Sequence, residues 1–446
     1  MTTATTRSRA LTLSILVWSS AALAQVDPGV RGGPPAAGHP LPNLTASELA
    51  FFEAGLEDFE EAEGIGDGLG PRFNLDGCGG CHLQPAVGGT SGPINPQVGV
   101  ATAFGARNTV PPFITVNGPI REARFKRTPS GARDGGVHGL FVISGRADNT
   151  GDAAGCNILQ PNFAAELANN NVIFRIPTPV FGTGLIEEVP DRLILQNLAA
   201  NAAVKSQLGI SGRVNRNESD GRITRFGWKA QNVSGLFFSG EAYNVEMGIT
   251  NEMFQVERDE TPECQEVPVP NDVIATDAAT PLEAVTAIDK FAVFMRFLAP
   301  PTPSTTTPGG NASITEGFNA FVNIGCVQCH TRVLRTENTT VAALRNRDVV
   351  LFSDLALHNM GPGLADDIVQ GMAAPDEFRT APLWGLGQRI FFLHDGRTSD
   401  LLQAIQAHRS NGNSTFGPSE ANTVVDRFNA LPAARRQDML NFLRSL

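Results

Sequence analysis

The sequence predicts a mainly α fold made of two similar helical units, with long irregular connections and minor β insertions. Three observations carry this. A helix-like segment followed by the same Cys-x-x-Cys-His string occurs twice, at 78–82 and 326–330. Apolar residues recur at helical spacing in 45–63, 281–298 and 435–446, while Val, Ile and Phe cluster as extended runs in 138–146 and 172–181. The 46 Gly and 30 Pro among 446 residues demand many turns and irregular connections.

Length alone suggests two or three domains. With 41% hydrophobic and 18% charged residues the chain has material for a sizeable core. A net charge of −11 argues against nucleic acid as a partner. A single Tyr excludes any chemistry that needs several.

Taken in order, residues 1–24 read as a cleaved export signal. Arg7 and Arg9 precede an apolar run, and Ala22-Leu23-Ala24 forms a small-residue cleavage site. No later stretch reaches the ~18 uninterrupted apolar residues of a membrane span. Residues 25–43 are Pro/Gly-rich and expected to be loosely ordered. Residues 45–63 form an amphipathic helix, with Thr45 as N-cap and Glu48 at N3 completing a capping box. A Gly-rich loop, 64–70, leads to the first Cys-x-x-Cys-His. After the extended runs and the 281–298 helix, 299–312 reads as a linker dividing an N-terminal domain (25–298, with a large insertion) from a C-terminal one (313–446). A short helix at 313–323 precedes the second motif. Residues 398–410 form a helix capped by Thr398 or Ser399. A terminal helix carries Met439, Phe442, Leu443 and Leu446 on one face.

The two motifs, Cys78-Gly79-Gly80-Cys81-His82 and Cys326-Val327-Gln328-Cys329-His330, have the spacing of covalent c-type haem attachment. Two thiols one turn apart reach the two vinyl groups of one porphyrin, and the following His falls beneath the iron. The two pairs lie too far apart in sequence for one zinc site, and neither sits in a βαβ setting. Each unit therefore reads as cytochrome c-like. Cys156 and Cys264 remain as an even pair, which in an exported protein suggests a disulfide.

Further strings go beyond attachment: Gly68-Leu69-Gly70-Pro71, Pro85-Ala86-Val87-Gly88-Gly89, Pro179 to Gly184, Arg225 to Ala230, Glu246 to Asn251, His358 to Gly363, Arg379 to Gly387 and Leu393-His394-Asp395-Gly396-Arg397. Together these resemble the di-haem oxidoreductase family labelled peroxidases or thiol oxidoreductases. The C-terminal half is similar to bacterial di-haem cytochrome c peroxidases and MauG enzymes.

The resemblance implies a division of labour between two haems. In the relatives the sixth ligand of the second haem lies about fourteen residues after the His of His-Asp-Gly. From His394 that count reaches His408, which makes the second haem His330/His408, with Met360 as the competing ligand. Residues 83–137 contain no His, so the first iron, held by His82, is expected to be open, with Met, Lys or the distant His138 as rival occupants. An open haem that cleaves O–O bonds needs a distal acid/base, and a carboxylate can serve. Glu187 leads, and Glu188 and Glu246 are the alternatives. Trp228 is the leading electron relay between haems and Trp384 the second choice. The relatives bind calcium through a Thr-x-Pro before His-Asp-Gly; here Arg389-Ile390-Phe391 stands there, so calcium is doubtful. The implied activity is a periplasmic peroxidase-like oxidoreductase that meets a small oxidant, hydrogen peroxide or dioxygen, and a periplasmic electron donor. A rubber-oxygenase-like dioxygenase and a plain di-haem electron carrier are the rival readings.

Overall fold

A computed structural model describes residues 25–146, 153 and 155–446; the expected export signal, 1–24, lies outside them. Among these residues helices dominate and the strands are short, in sheets of two or three. No described helix is long and apolar enough to cross a membrane.

The N-terminal unit rests on three helices: α1 (Ala46–Glu60), α2 (Gly235–Met247) and α3 (Ala287–Phe297). Thr45 and Glu48 form the expected capping box. α1 packs on α3 and α3 on α2. Phe52 and Phe59 of α1 meet Phe294 of α3 at ring separations of 5.3 and 4.9 Å. The helices approach closely because Gly55 stands at the crossing, where a Cβ would fall 2.3 Å from the Lys290 carbonyl oxygen. The 281–298 helix is broken: Pro281–Ala284 is one turn, and Thr286, accepting from the Asp289 N–H, caps α3 anew.

The C-terminal unit repeats the device. α4 (Gly310–Ile324) precedes the second motif, and α5 (Leu401–Ala407), α6 (Asn422–Ala430) and α7 (Ala433–Ser445) follow it. α4 packs along α7, and a Cβ on Gly317 would fall 2.0 Å from the Asp438 carbonyl oxygen. Met439, Phe442, Leu443 and Leu446 are buried as their spacing predicted. α4 starts three residues earlier than expected, inside the Gly-rich end of the linker. α5 is shorter than expected and is capped by Asp400 rather than Thr398 or Ser399: the Asp400 carboxylate accepts from the Leu402 and Gln403 N–H groups, and the Thr398 hydroxyl accepts from the Asp400 N–H. His408 is the residue that ends it.

A three-stranded antiparallel sheet supports the first cavity, with β1 (Glu122–Phe125) between β2 (Val137–His138) and β3 (Val172–Arg175). Strand alternation sends Ala123 and Phe125 into the core and leaves Glu122 and Arg124 on the opposite face. In the C-terminal unit β4 (Leu357–Asn359) pairs with β5 (Glu377–Arg379).

Residues 25–43 are tied down, against the expectation of loose order. The Arg31 N–H donates to the Gly387 carbonyl (2.7 Å), the Leu41 N–H to the Phe297 carbonyl (2.7 Å), and the Asp27 carboxylate pairs with Arg444, itself 1% exposed. The 299–312 run is held likewise: Ala299 and Thr302 N–H groups donate to His39 and Ala36 carbonyls, and Ser304 to Ser445. Leu208 and Ile210 pack into the C-terminal core with α4 and α7. Cys156 and Cys264 are joined as a disulfide across a separation of 108 residues.

Candidate haem sites and the residues between them

Two cavities carry the two Cys-x-x-Cys-His strings. The first, of about 150 Å³, is lined by Cys78, Cys81 and His82 together with α2, β1 and β3. The second, of about 230 Å³, is lined by Cys326, Cys329 and His330, by His408 and by β5. Cys78–Cys81 is a single helical turn, and Cys326–Gln328 a tighter one. None of these four cysteines is joined in a disulfide. Burial, with nearby acids, pushes the Cys78 thiol up to about 12.

The three imidazoles that reach these cavities are held alike. His82 Nδ1 bonds the Gly89 carbonyl at 2.9 Å, His330 Nδ1 the Phe352 carbonyl at 3.0 Å, and His408 Nδ1 the Ala404 carbonyl at 2.8 Å. A carbonyl accepts only, so each Nδ1 carries the proton and each Nε2 keeps a free lone pair, as an iron ligand requires. Burial lowers His82 and His330 to about 4, which keeps both neutral. The Pro85 to Gly89 string noted in the sequence thus closes the loop whose carbonyl holds His82. His408 contributes to lowering His330 because both face one cavity. Met360 lines that cavity as well, but has no comparable hold on its donor atom.

The remaining sequence candidates separate clearly. Trp228 lines both cavities and anchors its Nε1–H on the Ile176 carbonyl at 2.9 Å. Trp384 lines neither; it packs over Gly182 in a separate core. Glu187 is also outside the first cavity. Its Oε1 accepts from the Gly235 N–H (2.6 Å) at the start of α2, and its Oε2 pairs with Arg296 (2.9 Å). Glu188 pairs with the same Arg296. Local sequence made Glu187 attractive; its Gly-rich segment folds against α3 and not against the cavity. His138 stacks on Phe125 at 3.7 Å and bonds Asp134, and it lines neither cavity.

The carboxylates that do line the first cavity are Glu241 and Glu246, on α2, and Glu122, on β1. Glu246 and Glu122 share a hydrogen bond. Arg124 Nε sits 2.5 Å from Glu122 and holds that carboxylate well below the usual range, against the cost of its burial. Burial and the facing Glu122 push Glu246 far up, so it carries the proton of the pair; Asn74 donates to its Oε2 at 2.6 Å. The sequence listed Glu246 only as an alternative, and Glu122 and Arg124 escaped it altogether. Strand alternation was the one available signal.

His358 was also passed over. It is 4% exposed, lies between Asp354 (2.9 Å) and Glu420 (2.8 Å), and approaches Cys329 Sγ at 3.7 Å. The carboxylates on its two sides, against the cost of burial, raise its proton affinity well above the usual imidazole range. Glu420 in turn accepts from the Ser211 and Gly212 N–H groups, so this imidazole pins the 190–230 segment to the second cavity.

The chain matches the family described as "Di-haem oxidoreductase, putative peroxidase" over residues 124–446, more than half its length. The chain belongs to this family. Membership implies two haem cofactors and an oxidoreductase. No curated protein matches the sequence. Similar solved structures include a hydrazine synthase from Kuenenia stuttgartiensis (16% identity, 37% of this chain and 56% of that one, TM-score 0.22). Others are the diheme peroxidase BthA from Burkholderia thailandensis E264 (17%, 37% and 51%, TM-score 0.25) and a MauG-like protein associated with microbial copper homeostasis (15%, 60% and 90%, TM-score 0.30). The chain spans about half the length of the first two.

The residues of this di-haem oxidoreductase fit the cofactor. Beyond the thiols and imidazoles, the second cavity is lined by Arg379 and Arg389, both more than nine-tenths buried. Their bonds run to backbone carbonyls, Gly227 for Arg379 and Pro382 for Arg389, and burial, with mutual repulsion at Arg379, lowers both to about 10. Two buried guanidiniums facing a cavity suit an anionic ligand, and a haem carries two propionates. Arg389, at the position where the relatives have Thr-x-Pro, brings a fixed positive charge of its own.

Proposed function

We propose that this chain is an exported, periplasmic di-haem c-type oxidoreductase of peroxidase type. Cys78, Cys81 and His82 would hold one haem. Cys326, Cys329, His330 and His408 would hold the other, and Arg379 and Arg389 would meet its carboxylates. The division falls at 299–312. Bound haem would supply an iron that takes up peroxide and, between two centres, storage for two oxidising equivalents.

The chain's own residues supply the proton chemistry. Glu122, kept ionised by Arg124, accepts a proton from incoming peroxide. Glu246 delivers the proton it already holds to the departing oxygen, and the shared hydrogen bond restores the pair. The apolar wall from Phe59, Phe291 and Met295 limits water. Trp228 provides the indole between the two sites, and a partner protein supplies electrons from the periplasm.

The observation that carries this reading is Trp228 standing in the walls of both cavities while a protonated carboxylic acid stands in one only. Electron paramagnetic resonance of the oxidised holoprotein tests it. One high-spin and one low-spin haem, both signals lost on adding hydrogen peroxide, is the expected result. Two low-spin haems indifferent to peroxide would leave an electron carrier.

A further inference from the structure

We propose that Tyr243 is an electron donor to the N-terminal haem site, releasing its phenolic proton to Glu63 as it is oxidised. This rests on the haem assignment above and adds a redox residue to it.

The sequence holds 27 Phe and one Tyr. Apart from Trp228 and Trp384, aromatic core volume is thus supplied by Phe, and the lone Tyr stands in the wall of the first cavity, one turn before Glu246 on α2. Packing does not explain it. Tyr243 is 4% exposed and meets Phe291 edge-on at 5.2 Å, a contact that a Phe ring would make equally well. What the position gains from Tyr is the hydroxyl. That hydroxyl donates to Glu63 Oε1 at 2.7 Å, and Glu63 is itself 8% exposed, in the loop that joins α1 to the first Cys-x-x-Cys-His. A buried carboxylate on a buried phenol is an expensive way to fill space.

The pair is suited to coupled loss of an electron and a proton. Burial, reinforced by Glu61, Asp67 and Asp58, pushes Glu63 up to about 7, so near neutral pH its carboxylate is available and basic enough to keep a proton. Burial and the facing Glu63 push the phenol well above its usual range, so the proton stays on oxygen until the electron has left. In the step, the O–H bond of Tyr243 breaks. Its proton forms a new O–H bond on Glu63, and one electron passes to the site that hydrogen peroxide has oxidised by two. The products are a neutral tyrosyl radical and a neutral carboxylic acid. Return of an electron from the donor protein and of the proton from Glu63 restores the pair.

A single tyrosine makes the test clean. The holoprotein is mixed with hydrogen peroxide, frozen within milliseconds to seconds, and its paramagnetic resonance recorded. A free-radical signal with the ring-proton splitting of tyrosyl is expected, absent in Tyr243→Phe and strongly reduced in Glu63→Gln, which keeps a hydrogen-bond acceptor but has no carboxylate to protonate. The haem signals before peroxide report loading and folding in each variant. If peroxide removes the haem signals of the wild type and no tyrosyl signal forms, the Tyr243 proposal is overturned and the peroxidase reading stands. If peroxide leaves the haem signals untouched, both fall. An undiminished tyrosyl signal in Glu63→Gln overturns the role of Glu63 as the proton acceptor.

Discussion

At the scale of single residues, function here depends on which of several identical groups is buried beside which partner. Glu246 lies in a Gly-containing string and Glu187 just after one, yet one shares a hydrogen bond with Glu122 in the cavity and the other accepts from the Gly235 N–H at the start of α2. Glu246→Gln is expected to lower peroxide turnover about 10²–10⁴-fold, the usual worth of a positioned acid or base. Glu187→Gln is expected to cost about 1–3 kcal/mol of stability by weakening the bonds to Gly235 and Arg296, with turnover per haem near that of the parent. Stopped-flow kinetics and urea unfolding separate the two. Glu63 yields a pH prediction. Its folded pKa is raised from 4.5 to about 7, so the folded state binds the extra proton. Its contribution to stability is full below pH 4.5 and falls as pH rises to about 7. Glu63→Gln removes that titration, so its stability relative to the parent should improve between pH 4.5 and 7 and stay level above. Urea unfolding at pH 5 and pH 8 measures the difference; an equal gap at both pH values would contradict it.

At the scale of elements, local chemistry sets the ends of helices and neighbours set their packing. The capping box at Thr45 is readable from four residues, and Thr45→Ala should cost about 1 kcal/mol. The break before α3 is equally local, because Thr286 and Asp289 make a fresh cap. The sequence reading capped α5 with Thr398 or Ser399, and the cap is the next residue, Asp400, which has equally good cap chemistry. Asp400 serves because the Thr398 hydroxyl is already engaged with its N–H. His408 follows Ala407, the last residue of that helix, as its C-cap, with Nδ1 bonded one turn back to the Ala404 carbonyl. Removing this imidazole in His408→Ala is expected to turn the low-spin haem signal high-spin, read by paramagnetic resonance.

At the scale of the molecule, long-range ties join what the sequence separated. The N-terminal 25–43 strap, the 299–312 run and the end of α7 are hydrogen-bonded together, and Asp27 lies on the buried Arg444. The disulfide closes a loop of 108 residues, for which loop entropy alone gives about 4–5 kcal/mol. Cys156→Ser with Cys264→Ser should lower the urea midpoint accordingly. Because the bond lies away from both haem motifs in sequence, the haem absorption of the folded variant should match that of the parent.

The sequence by itself determined the cofactor chemistry and the repeat. Cys-x-x-Cys-His is a contiguous code, since two thiols and an imidazole must sit within one and a half turns, and helical periodicity and caps are likewise local. The resemblance pointed to His408 by a count from His394, and His408 does line the second cavity. Only the tertiary structure shows which carboxylates face the first cavity, which tryptophan borders both, that Arg379 and Arg389 line the second, and that Tyr243 in the wall of the first is bonded to Glu63. These assignments depend on burial and on partners far along the chain: Glu122 and Glu246 are 124 residues apart in sequence, and Glu63 and Tyr243 are 180 apart. A carboxylate's proton affinity is set by what surrounds it in space, and no spacing along the chain encodes that.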